Sequence, residues 1–75
     1  MSFESIQQIF NEKYELKFKL YSLEYEVKQI DNKVVIYATS YANKKSSYNS
    51  LQEAFNSFMV YNISLNDSLD RIIIL

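Results

Sequence analysis

Glu24 and Glu26 stand two residues apart in an alternating stretch, which puts both carboxylates on one face of a strand. Paired carboxylates run general acid–base chemistry when a closed site desolvates them. Here Lys17 and Lys19 sit on a neighbouring stretch with the same alternation, so each acid has a cation to neutralise it on a wetted face. Other reactive groups lack their helpers. A serine nucleophile needs a base and an oxyanion hole, yet the chain has no histidine, no glycine elbow and no Ser-x-x-Lys match. Asn66, Asp67 and Asp70 offer oxygen ligands without the spacing or the glycine of a calcium loop. Asp67 reads as a helix cap and Asp70 as a solvated charge.

What is missing sharpens this. In 75 residues there is no His, Cys, Gly, Pro or Trp. The commonest general bases, thiol nucleophiles and transition-metal ligands are therefore absent. Phosphate-cradling loops and dinucleotide fingerprints cannot be written without glycine. The expectation is a protein that is not an enzyme and has no metal, no cofactor and no small-molecule substrate.

Two features suit binding instead. Tyr41, Lys44, Lys45 and Tyr48 are the only place where cations and stackable rings interleave, a chemistry that fits single-stranded nucleic acid. Two lysines are a small charge, however, and eight basic against nine acidic residues give a net charge of −1. That is a poor footprint for duplex nucleic acid or an anionic membrane. The second feature is the run Val35, Tyr37 and Thr39, which falls on the face opposite the apolar one. A strand at the edge of a sheet should not be apolar on both sides. Either the aliphatic tail at residues 71–75 covers it or another chain does.

The elements that must position these residues follow from periodicity. Residues 2–13 have helical spacing, with Ser2 as cap, Glu4 in the first turn and Phe3, Ile6, Ile9 and Phe10 on one stripe. Residues 15–20, 23–30 and 33–40 alternate as strands. With Tyr21-Ser22 as a two-residue turn, Leu20 faces Leu23, Phe18 faces Tyr25 and Leu16 faces Val27. The same register sets Lys19 against Glu24, Lys17 against Glu26 and Glu15 against Lys28, each opposite-charge pair contributing about 0.2–1 kcal/mol. A slip of one residue would mix apolar with charged partners throughout. Asp31-Asn32 makes the next turn, since both types tolerate positive φ. It places Ile36 opposite Val27, Val34 opposite Gln29 and Ala38 opposite Tyr25.

Residues 41–49 read as a polar loop. Ser50-x-x-Glu53 is a capping box opening a second helix through Leu51, Ala54, Phe55, Phe58 and Met59, with Asn62 as its stop. Ser64-x-x-Asp67 opens a short third helix with Leu65, Leu69 and Ile72 inward. Residues 72–75 fit either a last helical turn or a short strand. The fold class is α+β, one domain over 1–75: a three-stranded antiparallel meander with helices on one face, in the order α-β-β-β-α-α.

Asn49-Ser50-Leu51, Glu53-Ala54-Phe55, Phe58, Ser64-Leu65 and Leu69, after a meander with Lys/Glu alternation, resemble a segment of small uncharacterised proteins of AT-rich Gram-positive bacteria and their phages. These are cap and core positions, so the resemblance implies a shape and no chemistry. The element order is also similar to one type of phage-encoded anti-CRISPR inhibitor of Cas9, although those inhibitors are strongly acidic. Glu4 stands where a secretory leader would be basic, and no apolar run follows, so the expected compartment is the cytoplasm. The expected function is a non-enzymatic protein-interaction module, an inhibitor or adaptor of phage or mobile-element type. Its site is Val35, Tyr37, Thr39, Tyr41, Lys44, Lys45 and Tyr48, meeting a protein partner or a second copy through the third-strand edge. The alternative is a small nucleic-acid-binding regulator using the 41–48 loop.

Overall fold

The computed structural model describes all residues, 1–75. Helix α1 spans Phe3–Lys13. Ser2 Oγ accepts the Ser5 N–H at 3.2 Å, satisfying one of the free donors of the first turn. Ile6 and Phe10 are buried, while Ile9 lies at the exposed rim of the stripe. The helix stops at Tyr14, whose φ of 55° is left-handed and whose N–H bonds Phe10 O. Glycine usually fills such a position. In a chain without glycine a tyrosine does.

Strands β1 (Glu15–Leu20), β2 (Leu23–Ile30) and β3 (Lys33–Ala38) pair in the register deduced above, residue for residue. Alternation and charge select this register together, which is why it is so legible. Both turns carry their strain at the first residue, with φ of 58° at Tyr21 and 56° at Asp31.

The sheet has five strands, not three. Within the expected polar loop, Ser46–Tyr48 forms β4 and pairs antiparallel with Val34–Ile36. The expectation of an edge at the third strand is thus corrected. β4 occupies that edge over Val34–Ile36, so neither a partner nor a second copy can pair there while the fold is intact. This also explains why β3 is apolar on both faces: it is an interior strand. β3 ends two residues early, and Thr39–Tyr41 form a 3-10 turn. The tail does not cover β3. Ile73–Ile74, strand β7 (β5 and β6 are given below), pairs antiparallel with β1 across the sheet, giving the order β4-β3-β2-β1-β7.

Helix α2, Leu51–Ser57, is shorter than its periodicity suggests. Ser50 Oγ accepts the Glu53 N–H at 3.0 Å. At Phe58 the backbone becomes extended (ψ 125°), and Met59–Val60 (β5) and Ile63–Ser64 (β6) form a small hairpin. Its two turn residues, Tyr61 and Asn62, both have positive φ, as a type I′ turn requires. The third helix is a 3-10 segment, Asn66–Arg71. Ser64 Oγ accepts the Asp67 N–H at 3.1 Å, and buried Ser68 donates to Ser64 O.

α1, α2 and the 58–72 segment lie on one face of the sheet. Phe18 and Phe55 are fully buried where they meet, 6.3 Å between ring centroids, and Phe3 meets Phe55 edge-on at 5.5 Å. Phe18 stacks on Tyr25, which in turn meets Phe58. A domain of this size has roughly 4–11 kcal/mol of stability. Phe55→Ala should remove about 3–5 kcal/mol and leave the domain near its unfolding threshold. Ser50→Ala should cost about 1 kcal/mol through the lost cap. Urea denaturation of both variants checks the ranking, and a Phe55→Ala cost below that of Ser50→Ala would contradict this core.

Candidate functional site

The outer face of the sheet has no covering layer, yet Val35 and Tyr37 are only 6% and 8% exposed. Cross-strand neighbours explain it. Val35 sits between Lys28 and Ser47, and Tyr37 stands opposite Glu26. The Tyr37 hydroxyl donates to Glu26 Oε2. Lys17 Nζ lies 3.3 Å from Glu26 Oε1, and Lys28 Nζ lies 3.8 Å from Oε2. Glu26 is therefore a hub with three polar partners, its side chain 15% exposed. Of the three expected cross-strand charge pairs, only Lys17–Glu26 closes to ion-pair distance; the register is right, but Lys28 turns along its own strand to Glu26 instead of across to Glu15.

The hub shifts the titration of three of its members. The Tyr37 hydrogen bond is the main influence holding the Glu26 carboxyl below the usual carboxylate range; burial opposes it, and Lys17 and Lys28 assist. The same bond, with burial, pushes the Tyr37 phenol up, against the pull of Lys28. The Glu26 charge raises the Lys28 ammonium. The Glu26 carboxylate is committed to Tyr37, Lys17 and Lys28, and no hydrogen bond joins it to Glu24. Glu24 is exposed, and its backbone oxygen receives the Thr39 hydroxyl at 3.4 Å.

The expected binding residues separate into three groups. Val35 is buried structure. Tyr48 faces inward beside Val34 and packs on the core, because alternation along β4 turns it away from the loop lysines. Tyr37, Thr39, Tyr41, Lys44 and Lys45 gather at one corner. Lys45 Nζ lies 5.3 Å from the Tyr37 ring centre, and Lys44 Nζ lies 6.0 Å from that of Tyr41, whose side chain is 55% exposed. Neither lysine has an acidic partner.

A second cluster was not visible in the sequence. The β1–β2 turn and the β5–β6 turn bring Tyr21 and Tyr61 edge to face, 5.2 Å between centroids, and Arg71 lies 6.0 Å over Tyr21. Its members are forty and ten residues apart along the chain; two turns that each begin with a tyrosine, followed by the chain's single arginine, are the only sequence trace. The one cavity, of about 260 Å³, lies between the end of α1 and the β1–β7 edge, with Ile9, Leu16, Ile74 and Leu75 as apolar lining. No group of three His, Cys, Asp or Glu residues is arranged to hold a metal, and no helix is long and apolar enough to cross a membrane. Comparison with protein-family models, curated proteins and solved structures finds no match for this chain.

The hub predicts how stability depends on pH. Glu26 titrates lower when folded than unfolded, so its contribution is complete above the ordinary carboxylate pKa of about 4.3 and is lost as pH falls through the folded value. Tyr37 titrates higher when folded, so its contribution is complete below about 10 and is lost as pH rises through the folded value. Tyr37→Phe should cost about 1–2 kcal/mol at neutral pH and shrink both limbs of the profile. Urea midpoints from about pH 3 to about pH 11 check this. Limbs identical to those of the wild type would contradict the hub.

Proposed function

We propose that this chain is a non-enzymatic protein-interaction module, acting as an inhibitor or adaptor. Its docking place is the corner made by Tyr37, Thr39, Tyr41, Lys44 and Lys45, next to the free outer edge of β4. The observation that supports this most is the state of the two lysines. Each rests on a tyrosine ring and has no carboxylate partner, in a molecule whose charges otherwise nearly balance. A cation over a ring keeps its donors free and its position fixed, at a contribution of about 0.5–1 kcal/mol on an exposed site. Such a corner fits an acidic protein surface.

The open edge of β4 adds a second element. An extended segment can join a sheet edge by main-chain hydrogen bonds, with side chains supplying the choice of partner. Here the lysines set the orientation and the edge supplies the affinity. With β3 enclosed, β4 takes the place that the third strand was expected to have.

A nucleic-acid role would use the same lysines, and one experiment separates the two. The tagged protein and its Lys44→Glu/Lys45→Glu variant are used as baits in cells of the native host, with nuclease treatment before elution. A protein captured by the wild type after nuclease, and lost in the variant, supports the module. An identical set of proteins on both baits contradicts docking at this corner. Capture that vanishes with nuclease supports the nucleic-acid regulator in its place.

A further inference from the structure

We infer that Arg71, Tyr21 and Tyr61 form a second docking patch, which receives a carboxylate-bearing segment of a protein partner. Three observations converge on it. The first is backbone conformation. Tyr21 and Tyr61 both have left-handed φ, 58° and 54°, where asparagine or glycine sits without strain. Bulky aromatic residues at such positions are uncommon, and strain of this kind concentrates at functional sites. That two strained turns place their rings against one another is a pattern that core packing does not require, since Tyr61 is 74% exposed.

The second observation is the arginine. Its guanidinium lies over the Tyr21 ring, and it makes no ion pair and no side-chain hydrogen bond within the chain. Asp70, its neighbour in sequence, lies beyond ion-pair distance. With the guanidinium 6.0 Å from the Tyr21 ring centre and no partner within the chain, its planar fork of donors is unpaired. That fork matches a carboxylate in two-point geometry.

The third is the surround. Leu23, Met59 and Ile63, on the same two hairpins, are all exposed. Tyrosine, arginine and methionine are the types enriched at protein interfaces and their energetic centres. One cation cannot follow a phosphate backbone, where affinity grows with the number of charges neutralised. An aliphatic and aromatic surround with a single open guanidinium fits an acidic peptide with apolar neighbours. This patch shares no residue with the Lys44–Lys45 corner.

The test uses the whole 15N-labelled chain and two probes, a glutamate–tyrosine copolymer and oligouridylate, followed by amide chemical shifts. The copolymer should shift Tyr21, Tyr61 and Arg71 and their neighbours. Arg71→Gln should weaken its binding at least about tenfold, the loss of a charge-assisted hydrogen bond. Tyr61→Ser, on an exposed side chain, should weaken it too. Lys13→Gln, which removes the same charge at the end of α1, should not. The inference is overturned if the copolymer leaves the patch unshifted, if Arg71→Gln binds as the wild type does, or if oligouridylate shifts the patch and the copolymer does not.

Discussion

The structure depends on one strand being enclosed on every side. β3 places Val34 and Ile36 in the core and Val35 and Tyr37 on the outer face, all buried. β2 and β4 hold its two edges. With no disulfide and no metal site to hold the fold together, a 75-residue chain has little margin for exposed apolar surface. Burying a strand on both faces and both edges makes the most of a short apolar run. The outer face needs no second layer, because cross-strand neighbours, the Glu26 hub and Lys45 shield it.

Glycine's absence shapes the rest. Five positions need left-handed backbone: Tyr14, Tyr21, Asp31, Tyr61 and Asn62. Asparagine and aspartate tolerate that region through local hydrogen bonding, but three of the five are tyrosines. Two of those meet as a ring pair at the exposed end of the molecule. Turn chemistry and surface chemistry are therefore linked here: two of the residues that reverse the chain also form its exposed ring pair.

Legibility divided along the range of the interactions. α1 and the β1–β2–β3 register followed from local alternation plus opposite charges, with even the residue partners correct. β4 was invisible because Ser46-Ser47-Tyr48 is polar and too short to alternate; only its non-local pairing with β3 makes it a strand. The second helix was read too long because Phe58 and Met59 continue the helical stripe, while Val60-Tyr61-Asn62-Ile63 is a hairpin whose signal lies in Asn62 alone. The tail could not be assigned a partner, since Ile72 to Leu75 fits any exposed edge. In the candidate site, Tyr41, Lys44 and Lys45 were legible from proximity in sequence. Tyr48 was misplaced by one unseen strand, and the Tyr21–Tyr61–Arg71 cluster exists only in three dimensions.

The enclosure of β3 is open to a direct measurement. Nuclear Overhauser contacts across the sheet, collected on the uniformly labelled protein, report which strands touch. The account predicts backbone contacts from Val35 to Ser47 on one side of β3 and to Lys28 on the other, together with contacts from Ile73 to Lys19. Contacts from Val35 to Lys28 alone, with Ser46–Tyr48 showing the averaged signals of a free loop, would leave β3 as an open edge and contradict it.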